Sequence, residues 1–176
     1  MDNSKIGRRR FLAGTAAATL GAGTHRARAA EQDSTFAYEI ERTEAEWRAM
    51  LSEFEFSILR EAGTEPQHSN PLWNETATGV YCCRGCDLTI YKSLHKLQLE
   101  KGWAFFRHSL ANTVLTDLDL KGGQMGDPFA ELGAAMEAHC RRCGSHLGHI
   151  VALPEVPGAP IHCINGTSLR FEAAES

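Results

Sequence analysis

The sequence predicts a mainly β domain, two small antiparallel sheets behind an N-terminal helical segment, stapled by a four-cysteine zinc site. Three observations point there. From Val80 onward, short apolar stretches alternate with turn residues at the spacing of antiparallel strands. Ahead of them lies a capped stretch with helical periodicity. Two C-x-x-C pairs, Cys83-Arg84-Gly85-Cys86 and Cys140-Arg141-Arg142-Cys143, stand roughly fifty residues apart and have the form of zinc knuckles.

At 176 residues with 43% hydrophobic and 23% charged side chains, the chain has room for one domain with its own core. This composition excludes a disordered or fibrous class. The formal net charge of -4 conceals an asymmetry, because residues 1–29 carry six Lys or Arg against one acid. The remainder holds 12 basic against 21 acidic side chains, a net charge of -9. Such a surface repels a polyphosphate backbone, so nucleic acid is not an expected partner.

Arg8-Arg9-Arg10-Phe11-Leu12, followed by a weakly apolar run to about Thr24, resembles a bacterial twin-arginine export signal. The run is too short and too rich in Gly and Thr to cross a ~30 Å hydrocarbon core comfortably. Ala27-Arg28-Ala29 supplies a small-x-small cleavage pattern, placing the cut after Ala29. The expected organisation is an export signal over 1–29, a polar linker over 30–42 and a single domain over 43–176. The expected location is the periplasm, with no stable membrane anchor after cleavage. Because this route carries folded proteins, a metal would be loaded before the thiols met an oxidising compartment.

Within the domain, Thr43-Glu44-Ala45-Glu46 has the capping-box pattern, and Trp47, Met50, Leu51, Phe54, Ile58 and Leu59 follow at helical spacing. One helix or two short ones are expected, ending near Glu61, where Ala62-Gly63 and the Pro66 to Pro71 stretch stop them. Strands are expected at Val80–Cys83, Thr89–Tyr91, Ala104–Arg107, Met136–Cys140, His149–Leu153, Ile161–Ile164 and Ser168–Phe171. The segment from Leu120 to Gly133 reads as a long loop with one helical turn at Pro128–Leu132.

Each C-x-x-C sets two sulfurs at the separation tetrahedral zinc requires, and two such turns close a four-thiolate shell with no open position. A closed shell is structural, here pinning two distant turns of a domain with a modest core. The alternative is a disulfide within each pair, which would close tiny loops and stabilise little. Cys82 adjoins Cys83 and could replace it as a ligand, but adjacent strand residues face opposite ways, so only one of the two can serve.

Removing four ligands leaves Cys82 and Cys163. Cys163 sits in the apolar strand Ile161-His162-Cys163-Ile164-Asn165, where an inert buried cysteine is the plain reading. His146 and His149, in His-Leu-Gly-His after the second knuckle, together with Trp103 and Asn165, argue for chemistry. A thiol with an ordinary pKa near ~8.5 is a weak nucleophile, and nearby imidazoles are the groups that activate it.

With these residues in view, the chain resembles the B-type methionine sulfoxide reductases from about Thr43 to Glu172. The markers are Arg60-Glu61-Ala62-Gly63-Thr64-Glu65-Pro66, Gly79-Val80-Tyr81, Gly102-Trp103, Cys143-Gly144-Ser145-His146-Leu147-Gly148-His149, and Cys163-Ile164-Asn165 with Ser168-Leu169-Arg170-Phe171. The resemblance implies sheets of the β-tent type and reduction of the R epimer of methionine sulfoxide in proteins or peptides. It implies that Cys163 attacks the sulfoxide sulfur while His146 and His149 orient or protonate the oxygen. Trp103 would receive the substrate methyl group, Asn165 would hydrogen-bond in the pocket, and Cys163 would be left as a sulfenic acid.

The family often has a resolving cysteine just before the Gly-Trp pair; here that position is Lys101. Ala104 and Ile161 also depart from the family pattern, and the three changes are expected to touch the pocket wall. Recycling would then fall to an external reductant of thioredoxin-like type, with Cys82 as the one internal candidate for a resolving thiol. Two other classes compete: a non-catalytic, zinc-stabilised binding module on the same scaffold, and a thiol-disulfide oxidoreductase using a C-x-x-C pair. The second lacks the βαβ context of such motifs.

Overall fold

Two capping boxes start the fold. Thr43 caps α1 (Glu44–Met50), its hydroxyl accepting from the Glu46 N–H while the Glu46 carboxylate accepts from the Thr43 N–H. Ser52 and Glu55 repeat the arrangement at α2 (Glu53–Leu59). The helical stretch is therefore two short helices, because a second cap interrupts it at Leu51–Ser52. Trp47, Phe56, Ile58 and Leu59 are buried.

The computed structural model describes residues 36–119, 135–158 and 160–175. The expected export signal, the first part of the expected linker and the expected Leu120–Gly133 loop with its helical turn lie outside these residues. The compact unit begins at Phe36. Residues 36–42 are docked on the second knuckle: the Ile40 N–H donates to the Arg142 carbonyl at 3.0 Å, and Arg141 pairs with Glu39 at 2.6 Å.

Among the described residues nine strands follow: β1 (Gly79–Cys83), β2 (Thr89–Lys92), β3 (Lys96–Leu97), β4 (Ala104–Phe106), β5 (Val114–Asp119), β6 (Ala135–Cys140), β7 (His146–Val151), β8 (Ile161–Ile164) and β9 (Leu169–Ala173). They form a three-stranded sheet ordered β2-β1-β9 and a six-stranded sheet ordered β3-β4-β8-β7-β6-β5, with every pairing antiparallel. This is the two-sheet, mainly β architecture that the strand spacing predicts. The sequence reading lacked β3 and β5. β3 has two residues, and β5 is an edge strand whose Val-Leu-Thr-Asp-Leu-Asp run leaves three positions exposed, so neither has the apolar alternation of a half-buried strand.

Alternation along the strands separates two apolar regions. Ala104 and Phe106 of β4, Ala138 of β6, Leu147 of β7 and Ile164 of β8 enter the main core with Tyr81, Tyr91, Trp47 and the α2 side chains. The opposite face carries a smaller cluster of Phe105, Val151 and Ile161, with Trp103, Leu153, Val156 and Cys163 packed on it. The fold thus places Cys163 away from the main core.

Candidate metal centre and thiol pocket

The four predicted ligands converge. The sulfurs of Cys83, Cys86, Cys140 and Cys143 all lie within 4.8 Å of one another. The closest approaches join the two knuckles, Cys83 to Cys143 at 3.7 Å and Cys86 to Cys140 at 3.5 Å. Tetrahedral Zn–S bonds of ~2.3 Å put sulfurs about 3.8 Å apart, so the donor set fits a thiolate-bound metal ion. None of the six cysteines is in a disulfide. Cys143 is held low by S–H donation from Cys140, Cys83 and Cys86, whereas Cys83 is pushed up among the same sulfurs. Four thiols this close cannot all ionise without a cation between them.

Cys82 is oriented away from this cluster. It is 2% exposed, and its sulfur meets the Thr89 hydroxyl at 3.5 Å. That resolves the Cys82/Cys83 ambiguity in favour of Cys83.

The second site is a small cavity of about 30 Å³ lined by Thr64, Trp103, Gly148, His149, Val151, Cys163 and Asn165. Of the residues singled out by sequence, it gathers Cys163, His149, Trp103 and Asn165. His146 and Cys82 do not line it. A larger open groove, about 630 Å³, runs past Ser52, Phe54, Arg84 and Arg170 and contains none of them.

The strand register builds the pocket. His149 of β7 and Cys163 of β8 are direct cross-strand partners, so both side chains stand on one face a few ångströms apart. Between them and the core lies Gly148, with φ +150, where a Cβ would fall 2.2 Å from the Cys163 carbonyl oxygen. Any larger residue would push β7 off β8 at the thiol.

Glu65, quoted above only as part of a motif, organises the other wall. It is 2% exposed, and its carboxylate accepts the N–H of Gly166 at 2.6 Å and of Thr167 at 2.8 Å. The Glu65 carbonyl accepts from the Trp103 indole N–H at 3.0 Å, fixing the ring beside the cavity. Asn165 is a clamp rather than a free donor: its Oδ1 accepts from the Glu65 N–H at 3.0 Å, and its Nδ2 donates to the Gly63 and Leu147 carbonyls, both at 3.3 Å. The sequence marks Glu65 only as an acid between the helix-stopping Gly63 and Pro66; its burial, the feature that sets it apart, belongs to the closed fold.

Burial pushes the Cys163 thiol up to about 12, with the Glu65 carboxylate adding to the effect and the Lys101 ammonium opposing it. The resting group is a thiol. His149 is held below the usual imidazole range by burial and by His146, against the pull of Asp119 and Glu137, so it is a neutral base near pH 7. Lys101 pairs with Glu155 at 2.5 Å. Ala104 is fully buried in the main core, on the face away from the cavity, and Ile161 packs in the small cluster without lining it. The expectation that these substitutions touch the pocket wall is therefore corrected for Ala104, which alternation turns to the other side of the sheet; Ile161 stands one layer behind the wall, packed in the cluster that holds Trp103, Val151 and Cys163.

With two antiparallel sheets, a four-cysteine centre and a half-buried thiol set opposite a histidine in register, the chain also matches the family model of the SelR domain over residues 51–173. The chain belongs to that family. It is similar to the peptide methionine sulfoxide reductase MsrB of Agrobacterium fabrum, 33% identical over 76% of this chain and 93% of that protein. The MsrB of Thiobacillus denitrificans is 36% identical over 74% and 92%. Peptide methionine sulfoxide reductase B2 of Arabidopsis thaliana, a chloroplastic protein, is 33% identical over 87% and 71%.

Proposed function

We propose that this protein is a peptide-methionine (R)-S-oxide reductase that uses Cys163 as its nucleophile and a structural zinc ion at Cys83, Cys86, Cys140 and Cys143. The observation that carries the reading is the register pairing of Cys163 with His149 beside the Trp103 ring, within a family whose relatives are named for this activity.

The chemistry follows from the groups present. Cys163 starts as a thiol because its site is apolar, so its proton must leave as the sulfur attacks. Neutral His149 accepts that proton and returns it to the sulfoxide oxygen, which cannot leave sulfur as a bare oxide. The S–O bond of the substrate breaks as one forms to Cys163. Methionine sulfoxide is reduced by two electrons to methionine, and Cys163 is oxidised to a sulfenic acid. Trp103, held by Glu65, offers its face to the S-methyl group and selects the epimer by shape. Glu65 and Asn165 hold the loop around the thiol.

An external dithiol of thioredoxin-like type returns the sulfenic acid to thiol: its first thiol condenses with Cys163 to a mixed disulfide with loss of water, and its second displaces Cys163 as the thiol, leaving the reductant oxidised to a disulfide. This route is preferred over Cys82 because Cys82 is buried against Thr89 and does not line the cavity. The zinc, when bound, supplies a cross-link and no step of the reaction. Export by the twin-arginine route rests on Arg8-Arg9-Arg10 and Ala27-Arg28-Ala29; N-terminal sequencing of protein recovered from a periplasmic fraction, beginning at Ala30, tests it.

The experiment for the reaction is turnover of a peptide carrying methionine-R-sulfoxide with dithiothreitol, compared with a Cys163→Ser variant. The wild type should produce methionine and the variant none. Equal turnover by both would overturn the assignment of the nucleophile.

A further inference from the structure

Register partners continue past His149. Across the six-stranded sheet, Phe105, Cys163, His149, Glu137 and Asp117 are successive cross-strand neighbours. They form one row on one face, running from the apolar pocket to the edge strand. Glu137 does not line the cavity. Its Oε1 instead lies 2.6 Å from Nδ1 of His146, one of the two histidines of the His-Leu-Gly-His motif. Since a carboxylate can only accept, Nδ1 carries the proton of this bond.

His146 is 3% exposed, and its other ring nitrogen, Nε2, is buried with no hydrogen-bond partner among the described residues. The rings of His146 and His149 stand 5.4 Å apart, edge to face. A buried imidazole with one nitrogen tied to a carboxylate and the other without a protein partner is costly as architecture, since a nitrogen that gives up water without gaining a hydrogen bond bears its full desolvation penalty. It is well suited to hold a neighbouring base in place and to share positive charge with it. Carboxylates behind functional histidines do this elsewhere in protein chemistry, setting tautomer and ring orientation.

We propose that Glu137 is a positioning residue for the sulfoxide-reducing site: its carboxylate fixes the Nδ1–H tautomer of His146 and stabilises the charge that the His146–His149 pair takes up while the Cys163 proton passes to the sulfoxide oxygen. This rests on the proposed reaction. Glu137 acts through the histidines and touches neither substrate nor thiol. Other titratable groups near the pair are Asp117 and Asp119 on β5, His139 on β6, and Tyr38 of the docked N-terminal segment.

The test compares the full-length wild type with Glu137→Gln and Glu137→Asp. Glu137→Gln should lower kcat ten- to a hundredfold, the range typical of a lost orienting partner, with KM within twofold and an unchanged melting temperature. Its acid limb in the kcat–pH profile should move to lower pH, because the Glu137 charge raises the His149 imidazole and removing it makes that group more acidic. Glu137→Asp should recover part of the rate. An independent readout is the 15N NMR signature of His146, expected as the Nδ1–H tautomer in the wild type and no longer held to it in Glu137→Leu, which removes the acceptor that Gln can still supply. A wild type that reduces the R-sulfoxide while Glu137→Gln keeps its rate and profile would overturn the inference alone, as would an Nε2–H tautomer at His146. A wild type with no turnover would overturn the proposed reaction on which the inference rests.

Discussion

The reactivity of Cys163 toward an alkylating agent follows from its surroundings and can be worked through in numbers. Burial and the Glu65 carboxylate raise the thiol from 9.0 to about 12, which corresponds to about a thousandfold less thiolate at neutral pH. Only the thiolate reacts with iodoacetamide. Peptide-level mass spectrometry of the zinc-loaded protein, alkylated between pH 7 and pH 10.5, should show the Cys163 rate rising about tenfold per pH unit with no plateau. At pH 7 it should lie about a thousandfold below that of an unstructured cysteine peptide. Steric shielding alone would lower the rate at every pH without moving the inflection, so the slope separates the two causes. Replacing the cation in Lys101→Met should slow the reaction further, since Lys101 is the group that opposes the rise. A plateau at or below pH 9 would refute the reasoning.

Three further outcomes follow from the same geometry. Glu65→Gln removes a buried charge that accepts two backbone N–H groups and leaves one donor facing another; urea unfolding should show a loss of about 2–3 kcal/mol, while Cys163 alkylation becomes faster. Gly148→Ala sets a methyl group against the Cys163 carbonyl, so turnover should fall at least tenfold with loss of melting temperature, and a wild-type rate would contradict the close β7–β8 approach. Removing the metal with a chelator should expose four additional titratable thiols and lower the melting temperature sharply, because the cross-link between the knuckles is lost; metal analysis should find one zinc per chain in the untreated protein.

Much of this was legible in the sequence because it is local. Capping boxes, C-x-x-C spacing and β8 depend on residues within a few positions of one another, and β8 falls at Ile161–Ile164 as read. The resemblance also carried Cys163, His149 and Trp103 to one cavity. Register was not legible. That His149 and Glu137 are partners follows from how β6 and β7 align around a bulge between Ala138 and His139, which no single-strand pattern reports. For the same reason His146 and His149 read as an equivalent pair, although one lines the cavity and the other lies behind it against Glu137. Glu65 is a hundred residues from the backbone it holds, and its role appears only when the chain is closed.

The central claim is that the thiol in this pocket reduces one epimer of methionine sulfoxide. The most direct measurement is a time course of the zinc-loaded protein with dithiothreitol and two peptides identical except for carrying the R or the S sulfoxide, with methionine quantified by mass. The account predicts multiple turnovers of the R peptide and none of the S peptide. Turnover of the S peptide, or of neither, would contradict it.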